Sequence, residues 1–514
     1  MLEKFYGSKY DEDILFVNPC ITFGEFKKHV YYQTREFLKS PKENAVLFGD
    51  DYFKFAVNFF AAVFARKNIY LLSDKTRLAQ LDDEYILPEK SYPVDALFQD
   101  ENLDINEVKI YIFTSGSTGK PQLIQKDLAK LILEVQSIID EFNLAGRLIS
   151  ASTVSLTHSF GFTFNFILPF WHNLKINCRR IEFPEQFGDI KDNYILISTP
   201  TFMEKLAKYD FVFEKAPEKI FLAGSKLKNN VLDYFKRFSD VIDIYGSTET
   251  GNLAFKRGYD EFRTFKDVSI SVDRNDNTVV TSGFFVQEKV ILPDIIQYIN
   301  EKEFILKKRS DRIVKIFEKR VSLDEIENIL KKHADVKDCY CFMYANKLAC
   351  VAATDNFNLD KDELRHFLLQ FSEVVPKKWR ILSEIPLTEN GKIDKTKLNR
   401  LFGMNLSLPF VFSKKVSPDN AEINLIFKKN CNFFDGHFDI MPILPGVVQL
   451  YYARYFANDV FNIEISPDEV KKVKFSNIIK SDTNITLKLK NDENCVNFTY
   501  EADDKVYSSG IFVK

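Results

Sequence analysis

Cysteine is scarce in this sequence, and its spacing is irregular. The 514 residues include seven Cys, no CxxC pair occurs, and the closest two cysteines are Cys339 and Cys341. An odd, scattered set does not form a disulfide framework, and it lacks the paired spacing of a zinc site. The pattern indicates reduced thiols, and we expect a cytoplasmic protein.

An excess of positive charge and a long apolar run are also absent. The formal net charge is −3, so nothing in the composition favours a nucleic-acid partner. The most apolar stretch, AVNFFAAVFA at 56–65, is too short to span a bilayer and predicts a buried helix. The first residues, MLEKFYGSKYDEDILFV, have no apolar core of a signal peptide. We therefore expect neither nucleic-acid binding nor a membrane span.

Glycine and proline are few, at 18 and 17, whereas the hydrophobic fraction is 45%, which is enough for several cores. The length predicts two to four domains. Residues 1–307 alternate helical patterns with the apolar runs AVLFG, NIYLL, VKIYIFT, RLISAS, NYILIST, KIFLAG and VIDIYG. Strands alternating with helices predict an α/β domain with a largely parallel sheet, whose ligand crevice lies at the carboxyl ends of the strands.

The pattern changes twice along the rest of the chain. Residues 308–405 begin in the charged segment KKRSDR, and they hold the helical run SLDEIENILKKH and the strand-like runs CYCFMYA and KLACVAAT. Ser322 can cap that helix, so a small α+β domain is predicted. Residues 409–514 combine one apolar helix, GVVQLYYARYFA, with alternating segments, which predicts a helix wrapped by a curved antiparallel sheet. The expected fold class is α/β and α+β multidomain.

A stretch rich in glycine and hydroxyl residues follows the apolar run at 108–114. It reads TSGSTGK, and its residues are Thr114, Ser115, Gly116, Ser117, Thr118, Gly119 and Lys120. Glycine permits backbone angles that point several N–H groups at one anion, and hydroxyls and a lysine add donors and charge. The spacing differs from the GxxxxGK[ST] of P-loop NTPases. The stretch alone predicts a phosphate loop, with a flexible surface turn as the alternative.

Four more motifs follow this loop in order. They are LAGSKL at 222–227, IYGSTETG at 244–251, KKRSDRIVKIFEKRVSLDEIE at 307–327 and PLTENGKIDK at 386–395. All five together resemble the adenylate-forming superfamily of acyl-CoA synthetases, aryl ligases and peptide-synthetase adenylation domains, over residues 1 to about 401. The resemblance implies an enzyme that joins a carboxylic acid to AMP, releases pyrophosphate and passes the acyl group to a thiol.

The same resemblance implies an ATP site built from separate segments. Residues 114–120 would cradle the β- and γ-phosphates, Tyr245 would stack on adenine, and Thr248 would bond the α-phosphate. Glu249 would hold Mg²⁺ and so counts as a catalytic residue and as the metal ligand. Gly224 and Gly246 are also implied to contact ATP.

Further roles follow from the family pattern near the second domain. Asp294 precedes Arg309 by fifteen residues, which matches a carboxylate that takes the ribose hydroxyls and an arginine that assists. Asp311 matches the hinge about which the small domain rotates. Lys392, in ENGKID, matches the catalytic lysine that contacts the carboxylate and the α-phosphate; a mobile point charge on a long stem suits this role.

The acyl pocket is implied by LTHSFGFTF. His158 matches a histidine that lines this pocket in many acyl-CoA synthetases, and a core histidine is the alternative. Peptide-synthetase domains place an Asp here to pair the substrate's ammonium group, so its absence argues against an α-amino acid. The neighbouring Phe160, Phe162 and Phe164 favour an apolar or aromatic acid.

The segment FFDGHFDIMPILPGVVQLYYA, residues 433–453, resembles the hot-dog dehydratases that act on 3-hydroxyacyl carrier proteins, and VKFSNIIKSDTNITLKL adds a second match. The resemblance implies His437 as the base that removes the α-proton of the thioester. A backbone N–H at the helix start, Gly446, would polarise the carbonyl. The acid is expected five residues after that glycine, where this chain has Tyr451. A phenol with an ordinary pKa of about 10 is a poor general acid.

Three hypotheses stay open. The first is an ATP-dependent ligase that loads a fatty or aryl acid onto CoA or the phosphopantetheine of an acyl carrier protein, fused to a hot-dog domain that binds or dehydrates 3-hydroxyacyl thioesters. This pairing fits fatty-acid-like or polyketide-like pathways, including aryl polyene synthesis. The second has a non-catalytic hot-dog domain that docks the carrier protein or forms a homodimer. The third is an adenylation domain whose acceptor is not a pantetheine thiol. The implied cofactors are ATP, Mg²⁺ and CoA or phosphopantetheine.

Overall fold

The computed structural model describes residues 2–49, 51–72, 85–86, 103–114, 122–144, 148–275, 277–284, 289–309, 312–316, 319–356, 358–388, 391–403, 408–428, 443–466, 469–503 and 505–514. Contacts divide the chain into two compact units. The first is Met1–Asp311 with Leu387–Lys392, and the second is Arg312–Pro386 with Ile393–Lys514. The three domain ranges inferred from the sequence stay a prediction.

The described helices of the first unit follow the buried patterns of the sequence. They are α1 (Phe23–Lys39), α2 (Tyr52–Phe64), α3 (Leu128–Phe142), α4 (Ser159–Phe162), α5 (Leu168–His172), α6 (Pro200–Lys208) and α7 (Asn229–Phe235). Thr22 and Glu25 form a reciprocal capping box at the start of α1, and the Asp51 side chain caps α2. Short 3₁₀ turns lie at Leu2–Phe5, Ile105–Glu107 and Pro184–Asp189, and a π-helix spans Thr163–Ile167.

The described strands of the first unit include every apolar run predicted as a strand. They are β1 (Ile14–Val17), β2 (Ile21–Thr22), β3 (Asn44–Phe48), β4 (Asn68–Leu72), β5 (Tyr85–Ile86), β6 (Lys109–Thr114), β7 (Gln122–Asp127), β8 (Ile149–Ser152), β9 (Lys175–Asn177), β10 (Tyr194–Ser198), β11 (Lys219–Leu222), β12 (Asp240–Ser247), β13 (Gly251–Lys256), β14 (Glu261–Thr264), β15 (Val268–Val272), β16 (Thr278–Ser282), β17 (Val290–Leu292), β18 (Asp294–Asn300) and β19 (Glu303–Arg309).

Two large sheets organise this unit. One has the strand order β18-β19-β14-β13-β12-β11-β10-β8-β9-β1-β2, in which the run from β12 to β1 is parallel. The other has the order β5-β3-β4-β6-β7, and β6 pairs with β7 as an antiparallel hairpin. A smaller antiparallel sheet joins β15, β16 and β17. The predicted α/β class is confirmed, and the parallel strands bring their carboxyl ends to one edge.

The second unit contains two parts with different secondary structure, as the sequence predicts. Its first part contains β20 (Ile313–Ile316), β21 (Lys319–Ser322), α8 (Leu323–Leu330), β22 (Asp338–Tyr344), β23 (Lys347–Ala353), α9 (Lys361–Leu369), β24 (Lys378–Leu382) and α10 (Lys395–Gly403). Ser322 caps α8 by accepting the N–H of Glu325, which confirms the predicted cap. The second part contains β25 (Phe410–Val416), β26 (Asn420–Ile426), α11 (Gly446–Phe461), β27 (Val470–Phe475), β28 (Asn484–Asp492), β29 (Cys495–Ala502) and β30 (Lys505–Val513).

In the described residues of the C-terminal part, one helix packs against one antiparallel sheet. The strand order is β25-β26-β28-β29-β30-β27. Helix α11 buries Val448, Tyr452, Phe456 and Ala457 against the sheet, and the Tyr500 hydroxyl donates to the Gln449 carbonyl oxygen at 3.0 Å. This arrangement confirms the expected hot-dog architecture. Across the described ranges, no helix is both long and apolar enough to cross a membrane.

Candidate active site

The carboxyl ends of β11 and β12 place two predicted nucleotide-binding residues side by side. These strands pair in parallel with Leu222 opposite Asp243, so Gly224 and Tyr245 each lie two residues beyond a matched pair. Gly224 has φ +106°, a backbone angle that favours glycine, and a Cβ there would meet open space. The half-buried Tyr245 ring packs 5.6 Å from the ring centroid of Phe262 and 5.7 Å from that of Phe304. The structure therefore brings both residues to the predicted crevice.

The turn between β12 and β13 carries Thr248 and Glu249. Its ends are joined because the Ser247 N–H donates to the Thr250 hydroxyl at 3.1 Å and the Thr250 N–H donates to the Ser247 hydroxyl at 3.3 Å. A Cβ at Gly246 would lie 2.1 Å from the Gly251 carbonyl oxygen, so only glycine allows the two strands to approach here. The bonding holds Thr248 half-exposed and Glu249 exposed at the tip.

The donor set at this tip fits Mg²⁺. Magnesium takes oxygen ligands, and it is usually held by one or two carboxylates together with substrate phosphates and waters. Glu249 supplies an exposed carboxylate, and the Thr248 hydroxyl stands beside it in the chain. The turn therefore offers the ligand chemistry that the sequence implies for a metal-bound nucleotide.

A buried charged cluster lies behind the Glu249 turn, and the sequence motifs do not reveal it. The Lys126 ammonium, on the strand that leaves the phosphate loop, donates to the Glu249 carbonyl oxygen at 3.1 Å. Glu134 of α3 accepts the Asn252 backbone N–H at 2.7 Å and its side-chain amide at 2.5 Å. Burial lowers the pKa of Lys126 and raises that of Glu134, and the opposite charge of each opposes the shift of the other. Glu134 alone had a signal in the sequence, because it interrupts the buried apolar face of α3, whereas Lys126 lies in the mostly exposed strand β7.

The loop that carries Lys392 belongs to the first unit. Residues Leu387–Lys392 group with it, although the residues on either side belong to the second. The Thr388 N–H donates to the Lys392 carbonyl oxygen at 2.7 Å, and Gly391 has φ +72°, a backbone angle that favours glycine. A Cβ at Gly391 would lie 2.3 Å from the Thr201 hydroxyl oxygen, which is itself 3.5 Å from that of Ser225. Lys392, which is exposed, is thereby near the edge that holds Gly224.

Asp294 and Arg309 are directly opposite each other. They pair across the antiparallel strands β18 and β19, although fifteen residues separate them in the chain. The Thr278 hydroxyl donates to the Asp294 carbonyl oxygen at 2.5 Å, and Asp294 is half-buried. The backbone therefore brings together the two residues that the sequence assigns to the ribose.

His158 begins a helical segment beside the core. Its N–H donates to the Ser155 carbonyl oxygen at 3.2 Å, and its carbonyl oxygen accepts the Phe162 N–H at 2.7 Å. Phe162 and Phe164 are fully buried in the main hydrophobic core, where Phe162 stacks on Phe166 with ring centroids 5.5 Å apart. Packing accounts for these two rings as core residues, so of the three phenylalanines expected to favour an apolar acid only the half-buried Phe160 remains near a surface.

Several predicted site residues lie outside the described part of the chain. They are Ser115, Gly116, Ser117, Thr118, Gly119, Lys120, Asp311 and His437. For Thr114 and Arg309 the structure gives the backbone alone. The strands that flank the phosphate loop are nevertheless described, and they form the β6–β7 hairpin. The roles of the residues outside the described part stay predictions.

The start of α11 shows why a glycine is needed there. A Cβ at Gly446 would lie 2.6 Å from the Phe475 ring, so the ring covers the helix start only because residue 446 has no side chain. The first amides of a helix have no partner within the helix, so this end can polarise a carbonyl. The role that the sequence assigns to Gly446 stays a prediction.

Tyr451, at the expected acid position, does not have the surroundings of a general acid. Burial raises its pKa, and Arg454 and Arg400 oppose the shift. One turn further along α11, Tyr455 packs against the core of the small α+β part, and the Arg400 guanidinium of α10 lies 5.4 Å from its ring centroid. Lys397 of α10 also pairs with Asp459 at 3.8 Å. This face of α11 is therefore engaged by α10.

Comparison with known families agrees with both resemblances. Residues 60–280 match the model of the AMP-binding enzyme family, and residues 413–511 match the ApeI-like family, described as ApeI dehydratase. A D-alanine–D-alanyl carrier protein ligase of Listeria welshimeri is 25% identical over 382 residues, which cover 61% of this chain and 72% of that protein. A 4-coumarate–CoA ligase of Cereibacter sphaeroides is 24% identical over 302 residues, which cover 54% of this chain and 69% of that protein.

The fold also has solved counterparts. The crystal structure of ATP-bound MatB from Rhodopseudomonas palustris superposes with a TM-score of 0.64 at 13% identity, covering 77% of this chain and 97% of that one. At this level of identity the likeness establishes the fold of the region and leaves its substrate open.

Proposed function

We propose that this chain, which carries an AMP-binding enzyme domain followed by an ApeI-like domain of hot-dog type, is an AMP-forming acid–thiol ligase. Its substrate would be a fatty or aryl carboxylic acid, and its acceptor the pantetheine thiol of CoA or of an acyl carrier protein. One observation supports this most strongly: Gly224, Tyr245, the Glu249 turn and the Lys392 loop all lie at the carboxyl edge of the same sheet.

The first half-reaction requires two anions to meet. A carboxylate oxygen attacks the α-phosphorus of ATP, the bond from that phosphorus to the bridging oxygen breaks, and pyrophosphate leaves. Lys392 would hold the carboxylate and the α-phosphate together as a point charge. Thr248 would donate to the α-phosphate, and Glu249 would hold Mg²⁺, which offsets phosphate charge when bound.

The second half-reaction would release AMP. The thiol sulfur attacks the acyl carbon, the anhydride bond to AMP breaks, and the product is a thioester. The relatives fit both acceptors by name, since one is a carrier protein ligase and the other a CoA ligase. The D-alanine of the first relative does not fit the sequence argument from His158, so an apolar or aromatic acid remains the proposed class.

A second candidate concerns the hot-dog domain alone. Tyr451 stands at the acid position, burial raises its pKa, and its helix face is engaged by α10. These observations favour a domain that binds an acyl thioester, docks the carrier protein or forms a homodimer without dehydrating. The alternative is dehydration of 3-hydroxyacyl thioesters with His437 as the base.

Product analysis tests the ligase proposal. The purified chain is incubated with Mg·ATP and single acids, namely fatty acids, benzoates, cinnamates and D-alanine, together with either CoA or a holo carrier protein. Mass spectrometry should detect one thioester, and an ATP analogue that cannot be cleaved after the α-phosphorus should abolish it. Formation of an acyl-AMP without any thioester would point to a different acceptor. A D-alanyl product would overturn the proposed acid class.

A further inference from the structure

The buried cluster behind the Glu249 turn links two segments that are far apart in the chain. Lys126 is the fifth residue of β7, the strand that leaves the phosphate loop, and its side chain is buried. Its ammonium donates to the carbonyl oxygen of Glu249, a residue 123 positions away. A buried lysine is almost always paired, because an uncompensated charge is costly in the protein interior.

The opposite side of the same turn is held by a buried carboxylate. Glu134 of α3 accepts two hydrogen bonds from Asn252, the second residue after the turn. Gly251, with φ +72°, lies so close that a Cβ would be 2.7 Å from a Glu134 carboxylate oxygen. The turn is therefore fixed at both ends, by a cation on the Glu249 carbonyl and by an anion on the Asn252 amides.

The Lys126 contact joins β7 to the turn that would hold the α-phosphate and Mg²⁺. Strand β7 continues from the phosphate loop, and the turn carries Thr248 and Glu249. The two elements belong to different sheets, so pairing within a sheet does not set their separation. A charged hydrogen bond between buried groups is short-ranged and directional, and it therefore fixes that separation.

We propose that Lys126 is a positioning residue that fixes the turn carrying Glu249 against β7, the strand that follows the predicted phosphate loop, and so places Glu249 for Mg·ATP. The inference rests on the proposed function, because the role of Glu249 belongs to it. Lys126 acts through the backbone of the turn, and no contact of Lys126 with ATP is required.

The test is Mg·ATP binding to the full chain by isothermal titration calorimetry, without any carboxylic acid present. Lys126→Met keeps the length and apolar stem but removes the donor. Its dissociation constant for Mg·ATP should rise about tenfold, which is the size of one charged hydrogen bond. The KM for ATP in turnover should rise similarly while the KM for the acid stays unchanged. Lys126→Arg should recover part of the affinity.

Lys130→Met is the matched control. Lys130 also donates to a main-chain carbonyl, that of Gly283 at 2.7 Å, but it is only half-buried and its acceptor is not in the Glu249 turn. Its substitution should leave Mg·ATP affinity at the wild-type value. If Lys126→Met does not fold, Lys126→Gln replaces it, since the amide keeps a donor and should give a smaller rise.

The outcomes distinguish failure of the proposed ligase function from failure of the role proposed for Lys126. If the wild-type protein does not bind Mg·ATP, the proposed ligase function itself is contradicted. Wild-type binding together with equal binding by the Lys126→Met variant would overturn the positioning role alone. Loss of folding in both the Met and the Gln variants would also overturn it, because Lys126 would then be a residue of general stability.

Discussion

Substitution of Arg312, the first residue after the predicted hinge, should destabilise the second unit strongly. Its guanidinium pairs with Asp324 at 2.8 Å, donates to the Cys341 carbonyl oxygen at 2.7 Å, and pairs closely with Glu327. The Arg312 and Glu327 side chains are only 14% and 12% exposed. The prediction is that Arg312→Met leaves the Glu327 carboxylate buried without its cation.

The size of the effect follows from that burial. Removing one partner of a buried ion pair costs about 3–5 kcal/mol, because the other charge stays uncompensated. The Cys341 N–H still donates to Glu327 at 2.6 Å, so the lower end of the range, about 3 kcal/mol, is expected. Burial raises the pKa of Glu327, and the charge of Arg312 opposes that shift in the wild type. In the variant this opposition is gone.

The pH dependence of this destabilisation gives a second, independent test. A group whose folded pKa lies above its unfolded pKa contributes stability below the unfolded value and loses it as pH rises through the folded value. The destabilisation by Arg312→Met should therefore be largest at neutral pH and shrink toward acidic pH, as Glu327 becomes protonated and neutral. Adding Glu327→Gln to Arg312→Met should restore part of the stability.

Tryptophan fluorescence can measure this in one unit. The chain has two Trp, and Trp171 lies in the first unit whereas Trp379 lies in β24 of the second. In a Trp171→Phe background, urea unfolding followed at Trp379 reports on the second unit. Lys331→Met is the control, because Lys331 pairs with Asp338 at 2.7 Å with both side chains exposed, and it should cost below about 1 kcal/mol. Equal losses for the two variants, or a loss independent of pH, would show that the buried Arg312–Glu327 pair does not stabilise the second unit.

Four further predictions concern activity. Lys392→Ala should lower carboxylate-dependent adenylation by about 10²–10³-fold, measured as initial rate, since it removes a charge that acts in the transition state; a rate near wild type would exclude that role. Glu249→Gln should shift the Mg²⁺ dependence of ATP use to higher concentration, and an unchanged Mg²⁺ titration would contradict metal binding by Glu249. His437→Ala should leave the adenylation rate intact. Tyr451→Glu should raise the rate of dehydration of a 3-hydroxyacyl carrier protein if only the general acid is missing. No gain with Tyr451→Glu would favour the non-catalytic module.

Much of the fold could be predicted because the strands are continuous apolar runs. Runs such as KIFLAG and VIDIYG become neighbouring parallel strands, and the small residues at their ends reach the predicted crevice. The fifteen-residue spacing of Asp294 and Arg309 also had a simple structural meaning, since a hairpin places them opposite each other.

Other features depend on tertiary contacts that no local pattern records. The Lys126–Glu249 bond spans 123 positions and joins two sheets, so neither residue signals the other in the sequence. Phe162 and Phe164 follow His158, the predicted pocket residue, within six positions of the chain, yet a helical path turns both into the core. The contact of α10 with the Tyr455 face of α11 is equally invisible until both helices are in place.

The most direct test of the proposed AMP-forming ligase activity is carboxylate-dependent exchange of pyrophosphate into ATP by the wild-type chain. The first half-reaction is reversible, so an acid that forms acyl-AMP must stimulate exchange without any thiol. If this chain is an AMP-forming ligase for an apolar or aromatic acid, one class among fatty acids, benzoates and cinnamates should stimulate exchange, and D-alanine should not. Absence of exchange with every acid, even when a holo carrier protein is added, would contradict the assignment of this chain as an AMP-forming ligase.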